Sequence, residues 1–221
     1  MSTIALSWSR VSDFRTCPFK FKEKYITKSY PDESNNPAFA KGTEVHKQLE
    51  EYVKAKKKGV DKPLGVIAKA GLPIVDRIMS MPGEAFPELQ LAITPDWSKI
   101  GWFGKDIKYR AIIDLLHVHG DQALIVDYKT GKASPYTETR GQLHLSAAFV
   151  FELYPEVNTI TSALLFLEHK QTNKYLFVRE MHAANKAAWD LEHAMINEEV
   201  EFAPKKNKYC YFCLSTTCPL K

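Results

Sequence analysis

The sequence predicts an α/β chain, a central mixed sheet flanked by helices. Three observations carry this. Apolar residues recur at helical spacing through the first third of the chain, strand-like runs then take over from Glu88 to Tyr128, and a helix, two strands and a final helix follow. With 221 residues the chain can bury about 70% of the surface its unfolded form exposes, so it needs no disulfide scaffold. A composition of 45% hydrophobic and 25% charged residues excludes a mainly disordered or collagen-like chain.

The elements follow in order. Ser9 can cap a helix over Arg10–Tyr25, with Val11, Phe14, Pro18 and Phe21 at helical spacing and a break or kink at Pro18. Tyr30 to Pro37 reads as a loop. Thr43–Lys58 reads as a strong helix, with Val45, Leu49, Tyr52 and Val53 on one side. Lysines fill its last turn and Gly59 stops it. A weaker helix covers Val66–Met79, interrupted by Gly71 and Pro73. Strands are expected at Glu88–Ile93, Lys108–Val118 and Gln122–Tyr128, the last two joined by a tight turn at His119-Gly120-Asp121. A helix over Thr137–Leu153, strands at Thr159–Leu167 and Tyr175–Met181, and a helix over Asn185–Val200 complete the chain. Residues 1–221 are read as one domain, with a core at about 40–200 and ends at 1–30 and 200–221.

No apolar run approaches the ~20 residues of a membrane span, so no membrane partner is expected. The start, Met1 to Ser7, lacks a basic stretch followed by an apolar one. The expectation is no signal peptide and a cytoplasmic protein, in a prokaryotic cell or a phage-infected host. The formal charge is +4, unevenly spread: residues 1–60 carry 12 basic and 7 acidic side chains. That excess is compatible with a nucleic-acid footprint, but charge alone favours a solvated helix face. Trp8, Phe14, Phe19, Phe21, Tyr25 and Tyr30 lie in the same stretch; they read chiefly as core, with base stacking as the functional alternative.

The four cysteines are Cys17, Cys210, Cys213 and Cys218. Without a signal peptide, metal binding is the leading reading over disulfides. Four thiolates suit Zn²⁺ or an iron–sulfur cluster. Such a site would join the two chain ends, and closing a loop of about 200 residues removes roughly 5 kcal/mol of unfolded-chain entropy. Lys205, Lys206 and Lys208, just before the trio, could add phosphate contacts.

Asp127-Tyr128-Lys129 closes the third strand. Residues two apart on a strand share a face, so Asp127 and Lys129 point together and Tyr128 points to the opposite side. Asp114 lies on the preceding strand, and if the hairpin brings it beside Asp127, two carboxylates and an ammonium converge. Mg²⁺ or Mn²⁺ prefers such hard oxygen donors. An ion there could bind a phosphate and activate a water, with Lys129 orienting that water. Read alone, His46 lies at the border of its helix's apolar face. His117, His119, His144, His169, His182 and His193 read as structural.

The stretch Ala123 to Lys132 (ALIVDYKTGK) resembles the core motif of PD-(D/E)XK nucleases, in the RecB-like branch. Arg110-Ala111-Ile112-Ile113-Asp114 resembles the segment carrying that branch's first metal-binding Asp, with Ala111 where Gly is usual. Gly42-x-x-x-His46 resembles the helix whose His is a metal ligand. Gln142 opens a segment like the Gln-x-x-x-Tyr motif, with Ser146 at the Tyr position. Ser7 to Pro18 also resembles this branch. The order of these pieces is closest to the iron–sulfur subgroup: the CRISPR-associated RecB-like exonucleases, the AddB nuclease domain and related phage enzymes.

The resemblance implies a nuclease, with catalytic Asp114, Asp127, Lys129 and Gln142. It implies metal ligation by His46, Asp114, Asp127 and the Tyr128 backbone carbonyl, and by Glu88, since the branch often carries a Glu before the first Asp. It implies a [4Fe–4S] cluster on Cys17, Cys210, Cys213 and Cys218, with Zn²⁺ as the alternative. It points to DNA, chiefly single-stranded ends, to exonuclease action in recombination, repair or phage DNA processing, and to a recombination or helicase partner. The rival readings are a structure-specific or flap endonuclease of the same fold, and a non-catalytic nucleic-acid-binding protein that kept the cysteine site.

Overall fold

A computed structural model describes residues 3–33, 36–132 and 140–221. Six strands form one sheet in the order β2-β1-β3-β4-β5-β6. They are β1 (Glu84–Ile93), β2 (Lys99–Ile100), β3 (Tyr109–His119), β4 (Gln122–Lys129), β5 (Thr159–Phe166) and β6 (Gln171–Val178). Only β4 and β5 run parallel, and α6 (Arg140–Leu153) is the crossover between them; all other neighbours are antiparallel. The mixed sheet flanked by helices is therefore as the sequence predicts.

Each face of the sheet has its own core. On one, α3 (Pro37–Lys56), α4 (Val66–Lys69) and α5 (Leu72–Ser80) pack Val45, Leu49, Val53, Val75 and Ile78 against Leu115, Val126 and Tyr128. On the other, α1 (Trp8–Thr16), α2 (Pro18–Phe21), α6 and α7 (His182–Glu198) cover Leu91, Ile113, Ile125 and Leu164. Helix α6 is apolar nearly all round because it lies between the sheet and α7.

Several boundaries differ from the sequence reading, each for a local reason. Helix α1 starts at Trp8 with Ser7, not Ser9, at the N-cap; Pro18 breaks the segment at Cys17, which is extended, and a π-turn (Lys22–Ile26) ends it. Helix α3 starts at Pro37, six residues early, because Asn36 caps it by accepting Ala38 N–H at 3.0 Å and proline suits the first helical position. Ser34 and Asn35 of the expected loop, and Thr137–Thr139 of the expected helix, lie outside the described residues. Strand β1 begins at Glu84 despite Pro87; β2 pairs only with Ala92 and Ile93, so Pro87 lies where β1 is an edge strand, which tolerates proline. Strand β6 starts at Gln171, four residues early, across a turn in which Lys170 is left-handed. Strand β2 and the 3₁₀ turn Lys208–Phe212 carry no clear sequence signal.

Two contacts fix α6 relative to the sheet. Arg179 donates to the carbonyls of Phe151, Tyr154 and Val157, satisfying the helix's C-terminal end. At the other end Gly141 sits under Trp8, where a Cβ would lie 2.1 Å from the indole. Only glycine permits that approach, and it places the next residue, Gln142, at the rim of the sheet.

The chain ends meet on the α1 side. Arg15 pairs with Glu192 through two bonds of 2.9 and 3.0 Å, Ile4 N–H donates to Asn197 Oδ1 at 2.7 Å, and Thr217 Oγ1 donates to the buried Glu23 at 2.5 Å.

Candidate active site

The site begins where the ladder between β3 and β4 stops. The two-residue turn Gly120-Asp121, with Gly120 at φ +56°, sets the register from His119↔Gln122 to Leu115↔Val126. The next positions in that register are Asp114 and Asp127, and there the pairing ends. Asp114 Oδ2 instead accepts the Tyr128 N–H at 2.7 Å. An unused ladder donor thus holds a buried carboxylate.

The other neighbour of β3 is disturbed at the same level. Glu88 of β1 falls between the pairs Pro87↔Leu115 and Leu89↔Ile113, directly across from Asp114. Its φ is +46°, a left-handed conformation that costs a non-glycine residue about 1–2 kcal/mol. The alternation of both strands slips here. Phe86 and Leu89 face the same core, as do Ile113 and Leu116, while Leu115 faces the opposite one. Because both strands slip together the register survives, and two carboxylates are turned toward one point.

Helix α3 supplies His46 from the border of its apolar face. His46 Nε2 lies 2.8 Å from the Tyr128 carbonyl oxygen, while Nδ1 lies 3.3 Å from Asp114 Oδ2 and 3.8 Å from Glu88 Oε1. Among the described residues, His46, Glu88 and Asp114 are the one group whose three ligand atoms fall within 4.8 Å of one another. Burial disfavours the imidazolium, but the Asp114 and Glu88 carboxylates outweigh burial and push His46 up to about 10. A proton on His46 therefore balances the carboxylates. The Tyr128 ring, buried beneath α3, stands edge-on to the imidazole at 5.8 Å and fixes its plane.

Asp127 and Lys129 share the opposite side of β4, as period two requires. Lys129 Nζ is 2.6 Å from Asp127 Oδ2 and donates to Gln142 Oε1 at 2.9 Å. Asp127 is only 4% exposed. Its burial, reinforced by the charge of Asp114, pushes its carboxyl up to about 6 although Lys129 pulls the other way. A buried carboxylate held that high is poorly compensated in the metal-free protein. One imidazole nitrogen, three carboxylates and a carbonyl make a hard, oxygen-rich donor set that fits Mg²⁺ or Mn²⁺.

Every residue named for the metal and catalytic site thus lies at this end of the sheet. His46, Glu88 and Asp114 form the compact group; Asp127 joins through its charge; Lys129 and Gln142 stand beside it. Ser146, at the motif's Tyr position, is buried within α6. The sequence reading missed the left-handed backbone at Glu88, for which Pro87 is the one local hint, and the groove beside the site.

That groove, about 1350 Å³, has Lys129, Gln142 and all four cysteines in its lining. None of the cysteines is in a disulfide. Lys205 N–H points to Cys17 Sγ at 3.5 Å, Asn207 N–H to Cys210 Sγ at 3.3 Å and the Tyr30 hydroxyl to Cys213 Sγ at 3.7 Å. Trp8, Phe19 and Tyr30 line the groove, whereas Phe14 and Phe21 belong to the core.

A sheet that ends in a His–Glu–Asp group, built around the buried Asp114 and beside Asp-x-Lys, has the chemistry of a metal-dependent, phosphodiester-hydrolysing nuclease. The chain belongs to the PD-(D/E)XK nuclease superfamily, whose family model matches residues 5–221. Members of that superfamily use Mg²⁺ or Mn²⁺ and act on nucleic acid. Among solved structures the chain is similar to that titled "Crystal structure of SSO0001", at 14% identity and a TM-score of 0.51, covering 99% of this chain and 87% of that one. That likeness concerns the fold. No curated protein matches the sequence. Among the described residues no helix is long and apolar enough to cross a membrane.

Proposed function

We propose that the chain is a deoxyribonuclease that degrades single-stranded DNA from an end. The observation that carries this is the convergence of His46, Glu88 and Asp114 beside the Asp127–Lys129–Gln142 chain. His46, Glu88, Asp114 and Asp127, with the Tyr128 carbonyl, would hold Mg²⁺ or Mn²⁺. The ion supplies a lowered pKa for an attacking water and charge neutralisation at the phosphate. Lys129 has one hydrogen bond to Gln142 and a close charge contact with Asp127, so its ammonium is oriented before substrate arrives. From there it orients the water and steadies the charge that grows on the phosphate oxygens.

The four cysteines would hold a [4Fe–4S] cluster that staples the chain ends. The amide and hydroxyl donors aimed at three of the sulfurs suit a cluster, whose potential and stability respond to such bonds. The exonuclease reading leans on the resemblance of the motif order to exonucleases and on a groove whose lining includes Lys129 and Gln142.

The test is anaerobically purified protein with end-labelled linear single-stranded DNA and Mn²⁺, beside Lys129→Ala and an EDTA control. Metal-dependent cleavage that the variant loses is expected, and the product ladder gives the polarity. Cleavage of circular single strands would replace the exonuclease with an endonuclease. No cleavage of either substrate, with iron and sulfide content intact, would favour a binding module.

A further inference from the structure

The segment Tyr209–Phe212, around Cys210, displays aromatic rings largely open to solvent, with Tyr211 and Phe212 meeting edge-on at 5.1 Å. Phe212 is 74% exposed, Tyr211 88% and Tyr209 45%. A phenyl ring left in water is unfavourable, and neighbouring exposed rings that share a surface mark a binding patch. The turn is not loose: Asn207 caps it by accepting Tyr209 N–H at 2.9 Å, and Cys213 N–H returns to the Cys210 carbonyl. The backbone that carries the rings is therefore held in place.

Phe212 and Tyr209 line the same groove as Lys129 and Gln142, and Phe39, 55% exposed at the start of α3, lines it too. Tyr211 does not line it. Seven Lys and Arg side chains line this groove against two carboxylates, so its field favours a polyanion. Four of those cations are paired with carboxylates: Arg15 with Glu192, Lys20 with Asp13, Lys24 with Asp13 and Glu33, and Lys129 with Asp127. Aromatic rings spaced along a cationic groove form a platform for unstacked bases.

We infer that Phe212, with Tyr209, is a base-stacking subsite that selects single strands over duplex while the backbone reaches Lys129. The inference rests on the nucleic-acid reading above and adds the residues that decide strand choice. A phenyl face accepts any base, so the subsite is indifferent to sequence. In a duplex every base is already stacked on its neighbours, so the ring gains nothing from it.

The test is binding of fluorescein-labelled oligothymidylate to the full chain in EDTA, beside an oligomer of the same length with abasic residues and a duplex. Iron, zinc and sulfide content is measured for every variant. Phe212→Ala is expected to weaken oligothymidylate binding about five- to hundredfold, and to leave abasic and duplex binding within twofold. Phe212→Trp should restore affinity, and Phe103→Ala, an exposed ring away from the groove lining, should bind as the parent does. Equal losses on ordinary and abasic strands would overturn the inference, because the change would then be structural. Unchanged affinity in Phe212→Ala would also overturn it and assign the rings to a protein partner. A parent that cleaves while Phe212→Ala binds normally removes the subsite alone. A parent that neither binds nor cleaves single strands removes the nuclease reading as well.

Discussion

Asp127→Asn should stabilise the metal-free protein at neutral pH while abolishing cleavage. The carboxyl is buried and its pKa rises from the ordinary 3.8 to about 6. For an acid, a raised folded pKa means that the native state holds its proton more tightly than the unfolded chain does. Below about pH 4 both states are protonated and the parent suffers no penalty. Between pH 4 and 6 the unfolded chain loses its proton first, and the parent loses about 1.4 kcal/mol of stability per pH unit. Above pH 6 the deficit levels at about 3 kcal/mol, the rate per pH unit multiplied by the interval between the two pKa values. Asparagine has no proton to lose. It also gives up the Asp127–Lys129 charge contact, but Lys129 keeps its Gln142 bond and is a quarter exposed, so about 2 kcal/mol should survive. For a chain of this length that is roughly 4–8 °C in melting temperature. The assay is thermal unfolding of both proteins in chelator from pH 4.5 to 8. The variant should match the parent at the acid end and exceed it at the alkaline end. Added Mg²⁺ should then favour the parent, by about 2.7 kcal/mol at a hundred times its dissociation constant. A variant less stable at pH 8, or a difference that does not change with pH, would refute the argument that burial dominates at Asp127.

Further outcomes follow from the same geometry. Glu88→Asn, a residue type that tolerates the left-handed backbone, should keep the melting temperature within a few degrees and lose metal-dependent cleavage; Glu88→Val should cost at least about 1 kcal/mol in a urea melt. Cys17→Ala, purified anaerobically, should lower the melting temperature sharply, because a closed loop of about 200 residues is worth roughly 5 kcal/mol; an unchanged value would count against a staple. Gly141→Ala drives a methyl group into Trp8 and should cost about 1–3 kcal/mol, with cleavage falling further than stability because Gln142 moves with it. Binding of Mg²⁺ or Mn²⁺ at pH 8 should release about one proton, since His46 is charged up to about pH 10 without metal and must be neutral to ligate. Calorimetry in buffers of different ionisation enthalpy reads that proton, and His46→Asn should remove it.

The half of the site on the β3–β4 hairpin was legible because its geometry is local. Gly120 marks a two-residue turn, the turn sets the register, and the register alone puts Asp114 opposite Asp127. Period two then puts Lys129 beside Asp127. His46 was legible only through resemblance, because its place depends on how α3 lies across the sheet, which its own helical spacing does not state. The left-handed conformation of Glu88 was not legible. It is settled by β1 and β3 slipping phase together, and a residue-by-residue pattern describes one strand at a time. Pro37 misled for a related reason: proline ends helices and also begins them, and the deciding cap, Asn36, lay inside what read as loop.

Placing three carboxylates at one end of a sheet is costly, and each is offset by a different device. Asp114 has a backbone N–H taken from the ladder, Glu88 shares the His46 imidazolium with it, and Asp127 has the Lys129 ammonium. Two of these devices are reversible. The proton on His46 can leave and the ammonium can turn to a substrate phosphate, whereas the amide cannot move. Asp114 is thereby the fixed point of the site, and Glu88 and Asp127 are the groups left short of positive charge once His46 is neutral. A divalent cation between them would restore that balance, so the same features that weaken the empty fold would favour metal there.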